Sequence, residues 1–197
     1  PLRCESKYHA SFRMLDDRSI LAHGDNPNTD TYTAEFRSDL KNITAIRIEV
    51  LTDPSLPGDG PGRGEIMSQP GDFLLSEVRA SAASLNTPDQ FTDVTLQNPS
   101  ADFAAGGRAA ELTLDDKLDS GWSINGAQGQ SHAIVYELAT PIAHDNGTLL
   151  KLVLDQYYVH YHTIGRFRVS VTSDPLPVVA SGAPAEIESI LAKLVRT

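Results

Sequence analysis

The chain has one cysteine, Cys4, among 197 residues. No internal disulfide can form, and no cysteine pair exists to build a zinc, redox or haem-attachment motif. Positive charge is scarce: 16 Lys and Arg stand against 26 Asp and Glu, a net charge of −10. A surface of that sign repels phosphate backbones, which argues against nucleic acid and against docking on anionic membranes. No apolar run approaches the ~20 residues of a membrane span, so membrane insertion is not expected. A secretory leader and an initial Met are both missing, so the chain reads as a mature or excised fragment. Neither GxSxG nor HExxH occurs. No paired acid and base declares itself, and the glycines near 60 lack the Lys-Ser/Thr and following helix of a phosphate loop. Enzyme chemistry therefore finds little support, and the chain is read as a non-enzyme.

What is present is short alternation. Hydrophobic residues make up 40% of the chain, enough for a packed core. Tyr32, Ala34 and Phe36 share one side of a run over 31–36. Ile46, Ile48 and Val50 oppose Arg47 and Glu49 over 44–51. Further runs cover 73–80, 91–97, 132–138, 149–154 and 166–172, and in the last Phe167, Val169 and Val171 alternate with Arg166, Arg168 and Ser170. This period of two is that of strands with one face in a core and one in water. Gly- and Pro-rich turns separate the runs, and Asn146-Gly147 carries a hairpin signal. The pattern predicts an all-β fold, an antiparallel β-sandwich of the jelly-roll kind over residues 5–174. A connector and C-terminal helix follow over 175–197. Ile187, Ile190, Leu191 and Leu194 form the helix's apolar stripe, expected to lead into a following domain.

Three places invite a ligand. Gln156, Tyr157, Tyr158, His160, Tyr161 and His162 crowd into a loop just before the strand that carries Arg166 and Arg168. Tyrosine rings offer apolar faces to the C–H side of a sugar, and His and Arg offer donors to hydroxyls or carboxylates. His160 and His162, with Asp155 or His132, are a weaker metal reading, because HxH alone is a weak signal. The second place is the long loop over 51–78, rich in Gly and Pro, with Arg63 inside it; loops of that length are functional or floppy. The third is 114–124, where Asp115, Asp116, Asp119 and Ser120 precede Trp122, the only tryptophan. This segment resembles the Asp-Gly-x-x-x-Thr-x-Trp signature of discoidin-like, galactose-binding-like jelly rolls. The resemblance implies a structural calcium beside Asp115 and Ser120. Asp116 replaces the usual glycine, which threatens strain if the turn is left-handed. Trp122 is either a core plug or a stacking surface.

Four blocks together carry a wider resemblance: ITAIRIEVLTDPSLPGDGPGR, GDFLLSEVRASAA, LDSGWSINGAQGQSHAIVYELATPI and HTIGRFRVSVT. In this order over about 19–177 they are similar to a carbohydrate-binding-module-like β-sandwich domain of large planctomycete surface or periplasmic proteins that also carry a planctomycete-type cytochrome c domain. The resemblance implies a jelly roll that binds glycans in polysaccharide use, with the haem elsewhere in those proteins. The combined expectation is a non-catalytic module that holds a polysaccharide, acidic or sulfated, for a larger periplasmic or extracellular chain. Its contacts would be Tyr157, Tyr158, His160, His162, Arg166 and Arg168, with Arg63 and Trp122 beside them. The alternatives are a structural adaptor packed against neighbouring domains and, more remotely, a glycan-active hydrolase.

Overall fold

Alternation along β4 (Asp30–Ser38) and β5 (Ile43–Val50) buries Tyr32, Ala34 and Phe36 on one strand and Ile46, Ile48 and Val50 on the other. In a computed structural model that describes residues 1–66, 68–158 and 160–181, these inward faces belong to two facing antiparallel sheets, a β-sandwich. The remaining strands are β1 (Arg3–Ser6), β2 (Ala10–Met14), β3 (Ile20–Gly24), β6 (Glu77–Ser84), β7 (Thr92–Val94), β8 (Leu96–Ala101), β9 (His132–Ile142), β10 (Thr148–Gln156) and β11 (Arg166–Thr172). One sheet has the order β1-β4-β10-β6-β7 and the other β2-β3-β11-β5-β9-β8. Most consecutive strands from β3 onward lie in opposite sheets, so the chain repeatedly crosses the sandwich as jelly rolls do. No helix among the described residues is long and apolar enough to cross a membrane.

Aromatic rings fill the space between the sheets. Tyr32 stacks on Phe167 with ring centroids 6.4 Å apart and meets Phe12 edge-on at 4.8 Å. Nearer the long loops, Phe73 meets Trp122 edge-on at 5.1 Å. The buried hydroxyls are paired, as burial demands: Tyr32 donates to Ile164 O, and Tyr136 shares a 2.8 Å bond with Thr113.

Several expectations change. The 91–97 run is two strands in different sheets, β7 and β8, and β8 bulges at Asn98-Pro99, where a proline is tolerated because the strand is an edge. The Asn146-Gly147 turn is no hairpin, since it joins β9 to β10 across the sandwich. The 73–80 strand enters its ladder only at Glu77. Beyond β11 the chain stays on the sandwich through residue 181. Thr44 donates to Asp174 O, Val178 N to Glu137 and Ala180 N to Ser100. The helix expected within 175–197 lies outside the described residues.

Candidate functional site

At one end of the sandwich, loop segments add a layer of their own. Residues 61–64 run between 71–72 and 163–165: Gly62 N donates to Gly71 O at 2.8 Å, Gly64 N to Asp72 O at 3.1 Å and Arg63 N to Thr163 O at 2.7 Å. Leu74 N donates to His162 O, and Leu75 exchanges both backbone bonds with Trp122. This approach needs glycine. A Cβ on Gly62 would stand 2.2 Å from Asp72 O, and one on Gly60 would stand 2.8 Å from the Cα of Gly71. Residues 57–64 of the Gly/Pro-rich loop are thus a packed strap and not a floppy insertion.

Beside the strap, Asp72 and residues of neighbouring loops frame a cleft of about 220 Å³. Its buried floor is Asp72 and Ser123. Ser123 Oγ donates to the two Asp72 oxygens at 3.1 and 3.0 Å, and Ile124 N reaches Asp72 Oδ1 at 3.3 Å. Burial raises the Asp72 carboxyl above its ordinary 3.8, while its hydrogen bonds and the nearby His162 pull the other way. His162 is 1% exposed and lines the cleft. Tyr158 forms part of the wall, edge-on to His162 with centroids 5.4 Å apart, and the Arg108 guanidinium lies over the Tyr158 ring at 5.1 Å. Asn125 stands exposed at the rim.

Of the residues singled out in the sequence, Tyr158 and His162 meet in this cleft and the others do not. Tyr157 sits beside Lys7, whose ammonium donates to its hydroxyl at 3.2 Å. Hydrogen bonds with Thr31 and Lys7 hold the Tyr157 phenol below its usual 10. His160 and Tyr161 both adopt left-handed backbone, with φ of 66° and 64°, so His160 turns outward and does not share a strand face with His162. The metal partners suggested for that pair are also engaged elsewhere. Asp155 accepts from Thr31 and Arg79, and His132 pairs with Asp102.

The arginines require a correction. Arg166 donates to Ser19, Thr52 O, Asp53 and Asp17, and Arg168 makes a two-pronged pair with Glu49 at 2.8 and 3.1 Å. Their donors brace the outer face of the β2–β8 sheet and are not offered to a ligand. Arg63, 6% exposed, points its guanidinium at Gly24 O and Asp25 O, both at 2.8 Å, and so latches the strap to the end of β3. Trp122 is fully buried and donates to Phe103 O at 2.8 Å, which makes it a core plug and removes it as a stacking surface.

The acidic turn is closed by its own bonds. Asp115 accepts from Ser120 Oγ through both oxygens and from Lys117 N, which also donates to Glu77. Asp116 does take the left-handed conformation, with φ of 59°. Among the described residues, no group of three or more His, Cys, Asp or Glu is placed to hold a metal ion. Asp115 and Ser120, the pair the resemblance placed beside calcium, are bonded to each other.

Sequence reasoning missed Asp72, Ser123 and Arg108. They come from three separate loops and carry no local periodicity, and only tertiary packing brings them to one cleft. Compared with known protein families, with curated proteins and with solved structures, the chain matches none.

Proposed function

We propose that this chain is a non-catalytic carbohydrate-binding module with its seat in the Tyr158 cleft. The observation that carries the reading is a fixed carboxylate and hydroxyl, Asp72 and Ser123, beneath a wall built from Tyr158, His162 and Arg108. Such a lining offers acceptors and donors to hydroxyls beside the apolar body of a ring. Its volume of about 220 Å³ lies under the ~300 Å³ where drug-sized pockets begin, which suits one sugar ring or a chain end. Ser123 gives its proton directly to Asp72, so the nucleophile, base and orienting group do not follow the order that hydrolysis by a serine needs. Within a larger envelope chain, periplasmic or extracellular, such a module would raise the effective concentration of polysaccharide near its neighbours.

An immobilised-glycan screen followed by calorimetry tests the reading. Tyr158→Ala should weaken retention about tenfold with thermal unfolding unchanged. If no saccharide is retained at about millimolar concentration, the reading falls. A second reading, an interdomain adaptor, draws support from Val179, 64% exposed beside an open recess over β5, β9 and β11. In that case the recess, and not the Tyr158 cleft, would meet the partner.

A further inference from the structure

We infer that the cleft selects saccharides bearing a carboxylate, and that Arg108 is the residue that reads it. The inference rests on the carbohydrate reading above and names the ligand class for that same seat. In a chain with 26 acidic and 16 basic side chains, arginines readily find carboxylates. Arg37 pairs with Asp39, Arg79 with Asp155, Arg166 with Asp17 and Asp53, and Arg168 with Glu49. Arg108 does not. Among the described residues its side chain donates only to a backbone carbonyl, Asp119 O at 3.1 Å, and no carboxylate pairs with it.

Its position suits recognition. The guanidinium is held over the Tyr158 ring at the cleft wall. Nη1 is the atom that donates to Asp119 O, and among the described residues no partner engages Nε or Nη2, a pair of donors whose fork matches the two oxygens of a carboxylate. The other fixed charge in the lining, Asp72, forms no ion pair with Arg108, and its oxygens already accept from Ser123 and Ile124. A ligand therefore meets a guanidinium whose charge Asp72 does not pair. Its carboxylate is drawn to Arg108.

The test is titration calorimetry on the whole chain, using two oligosaccharides of equal length and linkage, one of glucuronate and one of glucose. The expected result is at least tenfold preference for the glucuronate form at low salt, shrinking as salt is raised because the contact is partly exposed. Arg108→Gln should collapse that preference, whereas Arg13→Gln on β2, which removes the same charge elsewhere, should preserve it. Equal affinity for both sugars would overturn the inference and leave the carbohydrate reading standing. Persistence of the preference in Arg108→Gln would also overturn it. Binding of neither sugar, together with an empty glycan screen, would remove both.

Discussion

Asp72 illustrates what a single residue costs and supplies. Its carboxylate is buried, and that burial raises its proton affinity above the ordinary 3.8. A group whose folded value is raised contributes stability that is fully present below its unfolded value and is lost as pH rises through the folded one. Compared with low pH, the raised group therefore weakens the fold at neutral pH, a pattern common at functional sites. Asp72→Asn keeps an oxygen for Ser123 and Ile124 while removing that charge. The expected outcome is a higher melting temperature at pH 7 than wild type, with the gain shrinking towards pH 4, and weaker saccharide retention. Matched thermal scans at the two pH values check the first part and calorimetry the second. A variant that is less stable at pH 7 would contradict the assignment. Arg166 and Arg168 are the opposite case: a solvated strand face made them look available, yet each is already bound to carboxylates on neighbouring strands and loops.

Among the elements, the strap over 57–64 packs against Asp72 at the edge of the site. Gly60, Gly62 and Gly64 alternate on one side and lie against 71–72, where a side chain has no room. Gly62→Ala should cost roughly 1–3 kcal/mol, as overpacking does, and should disturb the cleft because Asp72 is the residue it would strike. Gly129→Ala, whose Cβ meets nothing within 4 Å, should be near neutral. Urea unfolding of both variants measures the contrast. The long strands were legible in sequence because their alternation survives in the structure: β4, β5, β9, β10 and β11 lie where the period of two placed them. β1 and β2 were not, because they are short, mostly exposed strands at sheet edges and so lack a continuous apolar side. The strap's loop stood out in the sequence, but its packing was not legible, for a different reason. Its hydrogen bonds go to residues far along the chain, and glycine leaves no hydrophobic pattern to read.

For the whole molecule, a buried charge pair sets part of the pH response. Burial alone would lower the His132 value, but the Asp102 carboxylate at 3.3 Å and Ala127 O more than offset it and raise it above 6.5. Burial likewise acts to raise Asp102, and its bonds from His132 and Ala133 bring it below 3.8. His132 therefore adds stability in full below pH 6.5, lost as pH rises through its folded value, and Asp102 adds stability above 3.8, lost as pH falls. The pair contributes most between those limits. His132→Gln should flatten the decline in melting temperature from about pH 6 to 8. An unchanged pH profile would show that the pair carries no such linkage.

Composition and alternation alone determined that this chain forms an all-β sandwich, because the period of two is a local property that survives packing. The same reading located the Tyr158–His162 loop. Only the tertiary structure decided which of the chemistry-bearing side chains remain open to a ligand. That outcome depends on partners distant in sequence: Asp17, Asp53 and Glu49 occupy the arginines of β11, Phe103 O takes the Trp122 indole, and Asp72, packed against a strap of glycines, meets Ser123 in the cleft that Arg108 also lines.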